Sequence, residues 1–120
     1  MSLPTKQRIK RPAEFRFVFS RGRRSSNKLM NVTAIQNDLG YSRLGMAVSK
    51  RVGNSVTRNL VKRRIHGVFS EIETDSGLDV VIAAKPESAY ASYAELDRVV
   101  RKSLAGAVVT IESSRQWTVL

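Results

Sequence analysis

The spacing of apolar positions divides the chain into helical and extended stretches. Between Pro12 and Ser20, Phe15, Val18 and Phe19 recur at helical spacing, and Gly22 ends the segment. Pro12 suits a first helical turn, where its missing N–H costs nothing, and Glu14 favours the positive end of the helix dipole. Arg23–Ser26 predicts a short edge strand. Leu29–Gln36 predicts a second strand, with Met30, Val32 and Ala34 on one face and Asn31, Thr33 and Ile35 on the other. Asn37-Asp38-Leu39-Gly40 is turn chemistry with a glycine free to take positive φ, and Leu44–Ser49 is the expected antiparallel partner.

A longer helical stripe follows. Val61, Ile65, Val68 and Ile72 are spaced four, three and four apart, Phe69 borders them, and Asn54 or Ser55 supplies the N-terminal cap. After the break at Asp75-Ser76-Gly77, Asp79–Ala84 runs apolar through Val80, Val81 and Ile82 without alternation, as in a strand covered on both faces. Lys85-Pro86 closes it. Ser92 and Glu95 form a capping box. Leu96, Val99, Val100, Ser103, Leu104, Ala107, Val108 and Ile111 then trace the broad apolar face of a packing helix. From Ser113 the periodicity fades into a tail, in which Trp117 is either a satellite core contact or exposed.

The order is therefore α-β-β-β-α-β-α, an α+β two-layer sandwich on a four-stranded mixed sheet, with Leu44–Ser49, the long helix and Val80–Ala84 as a β-α-β unit with parallel strands. At 120 residues and 42% apolar content the chain is one domain, 1–120, able to build a core without staples. Cysteine is absent, which excludes disulfides and thiolate metal sites and fits the cytoplasm. No apolar run approaches the roughly 20 residues of a membrane span, and no obligate protein partner is evident.

Charge changes the picture most. The net charge is +11, and it is unevenly spread. Residues 1–67 hold 16 Lys or Arg against Glu14 and Asp38, a balance of +14, whereas residues 68–120 hold five against eight acids, a balance of −3. The first half reads as a surface for a polyanion and the second as scaffold. Lys6, Arg8, Lys10 and Arg11 make a flexible basic arm, 1–11, mobile until bound. In the long helix, Arg58, Asn59, Lys62 and Arg63 project roughly 60° to 200° from Val61. No acid occurs between Lys50 and Ser70 to neutralise them. A solvated helix face usually interleaves the two signs; without counter-charges, the reading as a phosphate-neutralising surface is favoured over that of a solvated charged face.

Protein-borne catalysis finds little support. A two-metal nuclease needs clustered carboxylates, and the basic half has only Glu14 and Asp38. His66 is the sole histidine, placed on the solvent side of the basic helix with no carboxylate at i±3 or i±4 to orient it. Gly53 lacks the companions of a nucleotide-phosphate loop. A helix-turn-helix DNA reader would need a helix where the residues before Lys50 read as strand. Phe15 and Phe19 remain open between two roles: core packing, or stacking on an unpaired nucleotide beside Arg16 and Arg21.

The string Ser49-Lys50-Arg51-Val52-Gly53-Asn54-Ser55-Val56-Thr57-Arg58-Asn59-Leu60-Val61-Lys62-Arg63 resembles the basic loop and helix of the bacterial ribonuclease P protein subunit, roughly Ser-Lys-Lys-x-Gly-x-Ala-Val-x-Arg-Asn-Arg-x-Lys-Arg. Phe15-Arg16-Phe17-Val18-Phe19-Ser20-Arg21-Gly22 resembles that family's first helix, and the likeness extends over about residues 6–110. One departure is Leu60, which stands where the family has the second arginine of its Arg-Asn-Arg core; Arg64 projects close by. Another is Thr33, near which some relatives place an aromatic.

The resemblance implies a left-handed β-α-β crossover and a subunit that assists an RNA catalyst in removing the 5′ leader of precursor tRNA. It implies that Lys50, Arg51, Asn54, Arg58, Asn59, Lys62 and Arg63 face the catalytic RNA. It implies that Phe15, Phe19, Arg16, Arg21 and Lys85 line the leader path, that no protein residue is catalytic, and that magnesium is held mainly by the RNA. The alternative is a ribosomal or other structural RNA-binding protein with no part in cleavage.

Overall fold

The computed structural model describes residues 4–72 and 77–119, with side chains as far as Gly106. Among these residues three α-helices and four strands follow in the order α1 (Pro12–Arg21), β1 (Arg23–Ser26), β2 (Met30–Gln36), β3 (Arg43–Ala47), α2 (Ser55–Glu71), β4 (Leu78–Ala84) and α3 (Tyr93–Val119), with short 3-10 turns at Thr5–Gln7 and Pro86–Tyr90. Helix starts fall where the capping chemistry places them. Asn54 Oδ1 accepts from the Thr57 N–H at 2.9 Å. The Ser92–Glu95 box closes in both directions, Glu95 N–H to Ser92 Oγ at 3.1 Å and Ser92 N–H to Glu95 Oε1 at 3.4 Å. Helix α3 runs on as backbone to Val119, through the segment expected as a tail. The side chains of Ala107, Val108, Ile111 and Trp117, and residues Asp75 and Ser76 of the expected break, lie outside what the structure describes.

The sheet order is β1-β2-β4-β3, antiparallel at the first two junctions and parallel between β4 and β3. The expected β2–β3 hairpin is therefore corrected. Gly40 takes φ +80° as its turn requires, yet the chain leaving it passes β2 and forms the far edge of the sheet. The reason is burial. β4 is buried from Leu78 to Ile82 and needs neighbours on both sides, whereas β3 carries Arg43 and half-buried Met46 and Ala47 and tolerates an edge.

Alternation assigns the faces. Met30, Val32, Ala34, Leu44, Val80 and Ile82 meet Val61, Ile65, Val68 and Phe69 of α2 and Leu96, Val100 and Leu104 of α3 in the main core. The two-layer expectation describes this core. On the other face, α1 adds a partial third layer, where Val18 packs with Val81 and Ile9, flanked by Phe15 and Ile35. Gly45 allows this: a Cβ there would lie 2.8 Å from Phe15 Cζ.

The basic arm is held where composition suggested mobility. Ile9 N–H donates to the Leu44 carbonyl at 2.9 Å, Gln7 Nε2 to the Ser42 carbonyl at 3.2 Å, and Ile9 is only 4% exposed. The arm covers the free edge of β3, which would otherwise offer unpaired backbone groups.

Candidate nucleic-acid interface

Helix α2 buries its apolar stripe and leaves Asn59, Lys62 and Arg63 exposed on the outer side, with Lys50, Arg51 and Asn54 exposed in the loop before it. Among the described residues no acid pairs with Arg58, Lys62 or Arg63. Ion pairs among these residues instead join Arg43 to Glu14 and Asp79, and Arg101 to Asp97 and Glu71. The cationic face is thus uncompensated, which is the condition for releasing counter-ions from a nucleic acid. Arg58 is half-buried, its Nη2 donating to Ser55 Oγ at 3.2 Å and its Nε enclosed with no acceptor.

Two neighbours on α2 sit differently from expectation. Arg64, the nearest substitute for the arginine replaced by Leu60, donates from Nη1 to the Ala91 carbonyl at 2.9 Å and braces the loop before α3. His66 is half-buried, in a groove beside Arg8, Lys10 and Lys62, rather than on the solvent side. Burial, and then the Arg8 charge, pushes its pKa below the ordinary histidine value.

The second surface is the face of the sheet under α1. Phe15 and Phe19 share one flank of α1 by helical projection, while Glu14, Phe17 and Arg21 share the other. Glu14 Oε2 accepts from Arg43 at 2.8 Å, so its flank is turned toward the Arg43–Asp79 row. The Phe15–Phe19 flank therefore looks over the next open row, Ala47, Ala83, Asn31 and Ser26. Small and polar side chains floor this groove, with the 48%-exposed Phe19 as its wall.

The two phenylalanines sit in different surroundings. Phe15 is mostly packing, against Gly45 and the Val18 cluster, whereas Phe19 offers a free ring face. Lys85 closes the far end, its Nζ donating to the Asn27 carbonyl at 2.6 Å and to Ser26 Oγ at 3.2 Å. Arg16 is exposed on the outer side of α1. Arg21 lies across the helix from Phe19, with its guanidinium 5.8 Å from the Phe17 ring centroid. Sequence reasoning missed the 51%-exposed Phe17 and also Arg24, which the register sets on the α1 face opposite Thr33. Alternation along β1 was the signal for Arg24.

A polar clasp joins the Val18 cluster in holding α1 in place. The Arg43 guanidinium donates to both oxygens of Asp79, at 2.8 and 2.6 Å, and to Glu14, while Asn37 Nδ2 donates to Asp79 at 2.7 Å. Asp79, 6% exposed, and Glu14 hold the guanidinium firmly in its charged form. Glu14, expected only as a helix-terminus acid, is thus also the clasp of α1.

A basic helix seated on an α+β core, next to an aromatic-walled groove on the sheet, defines the class: an RNA-binding domain. The family model described as Ribonuclease P matches residues 3–108, and the chain belongs to that family. It is 39% identical over 108 residues to the ribonuclease P protein component of Kocuria rhizophila, covering 88% of this chain and 96% of the relative. It is 40% identical over 102 residues to that of Bacillus cereus, covering 82% and 85%. The Staphylococcus aureus RNase P protein superposes with a TM-score of 0.78 at 27% identity over 84% of this chain and 94% of that one. The Thermotoga maritima protein shares the fold, with a TM-score of 0.67 at 24% identity over 82% and 92%.

Proposed function

We propose that this chain serves as the protein subunit of ribonuclease P, working in the cytoplasm beside an RNA that carries out magnesium-dependent cleavage of precursor tRNA at the mature 5′ end. Lys50, Arg51, Asn54, Arg58, Asn59, Lys62 and Arg63 face the catalytic RNA. The single-stranded leader lies in the α1 groove, with a base on Phe19, Phe15 as the inner edge, and Arg16, Arg21 and Lys85 near its phosphates. Stacking on one such ring is worth roughly 1–3 kcal/mol. The observation that carries this reading is the uncompensated cationic face of α2 in a chain of this family.

The protein's part is counter-charge and positioning. Its cations screen two polyanions that must approach each other, so less magnesium is needed for the same activity. Among the described residues no three His, Cys, Asp or Glu side chains gather to hold a metal ion. The test is reconstitution with the host's ribonuclease P RNA and mapping of the cut on a precursor tRNA. Correct cleavage at low magnesium only when the protein is present supports the proposal. Equal activity with and without it, or equal affinity for precursor and mature tRNA, favours a structural RNA-binding protein instead.

A further inference from the structure

The groove between the N-terminal arm, β3 and α2 has a cavity of about 190 Å³ lined by Arg8, Ile9, Lys10, Leu44, Met46, Lys62 and His66. Its charge follows from the docking of the arm. Ile9 is committed to the α1-side cluster, so at a period of two Arg8 and Lys10 project to the opposite side, toward α2. Lys62 and His66, four apart on α2, share the helix face that meets them. The arm contributes Arg8 and Lys10, the helix Lys62 and His66, and β3 only apolar Leu44 and Met46; no described carboxylate lines the groove.

Resting on the ribonuclease P reading, we infer that this groove seats one phosphate group of the catalytic RNA between Arg8, Lys10 and Lys62, with His66 as a fourth donor that takes up a proton when the phosphate arrives. The arm thereby becomes part of the RNA-binding surface. In the unbound protein its partial burial, and then the Arg8 charge, favour the neutral ring. A bound phosphate reverses the local sign of charge and favours the imidazolium. RNA binding through this seat therefore strengthens as pH falls toward 6.

His66 is the chain's sole histidine, so its ring resonances in the full-length protein report the seat directly. At constant ionic strength, inorganic phosphate is expected to raise the His66 pKa relative to chloride. Arg8→Ala and Lys10→Ala, both exposed positions, are expected to abolish the rise, while Arg63→Ala retains it. With ribonuclease P RNA, Arg8→Ala and Lys10→Ala each lower the salt slope of binding by about one, and His66→Gln flattens its pH dependence. A His66 pKa unmoved by phosphate, or moved equally in Lys10→Ala, overturns the seat. If Arg58→Ala and Arg63→Ala weaken RNA binding but Arg8→Ala, Lys10→Ala and His66→Gln do not, the seat is wrong and the basic-helix reading stands. If the α2 variants have no effect, that reading fails whatever the phosphate titration shows.

Discussion

The two surfaces proposed for RNA are carried by helices anchored in opposite ways. Helix α2 sits on the main core, with Val61, Ile65, Val68 and Phe69 packed among strands and α3, and among the described residues the one side-chain hydrogen bond from the cations on its outer side is that of Arg58 to Ser55. Helix α1 has a single fully buried residue, Val18, in a small cluster that Phe15 borders, and is clasped besides by Glu14–Arg43–Asp79. A helix seated on a large apolar interface can change its outer face freely. One seated by a few contacts passes any loss straight to the groove it walls.

The largest expected effect falls on the strong side. Ile65→Ala removes a fully buried side chain from beneath α2 and should cost about 2–5 kcal/mol, read as a fall in denaturant midpoint of the whole domain. Arg43→Met attacks the weak side. It strips the buried Asp79 of its charged partner and should cost about 3 kcal/mol. It should also weaken binding of leader-bearing precursor while binding of the catalytic RNA persists; equal loss of both would mean that α1 is not separately anchored. Glu14→Gln, at a more exposed site, should do the same to the leader at a cost under about 1 kcal/mol.

Function-only changes should be smaller in stability and sharper in selectivity. Replacing Arg58 and Lys62 together by Ala should lower the salt slope of RNA binding by about two, with the melting temperature nearly unchanged. Phe19→Ala should lose roughly 1–3 kcal/mol of leader preference in competition between precursor and mature tRNA, whereas Phe15→Ala should lose stability as well, because its ring packs on Gly45.

The smallest effect is that of pH on the RNA-free protein. Folded His66 holds its proton more weakly than the unfolded chain, so its contribution to stability is fully present above the ordinary value of 6.5 and is lost as pH falls below it. His66→Gln should remove that decline from a urea titration series between pH 7.5 and 5.

Local chemistry made much of this molecule legible in advance. The 3.6-residue stripe of α2, the alternation of β2, the unbroken apolar run of β4, the Asn54 cap and the Ser92–Glu95 box each depend on residues a few positions apart, and each appears where those residues stand. The excess of cations over acids in the first half is likewise a property of composition.

What depended on distant partners was not legible. A turn at Asn37–Gly40 permits a hairpin, but β4 took the central place because it buries both faces, and no rule local to β2 or β3 contains that competition. Arg64 and Arg63 are both cations on one helix, and only the position of the Ala91 carbonyl turns one of them inward. The docking of the arm on β3, the clasp at Arg43 and the division between Phe15 and Phe19 were decided the same way. The chain by itself set its periods, caps and charge, because those are interactions within a turn or a strand. The tertiary structure alone chose the neighbours, because burial is shared among segments that compete for the same interior.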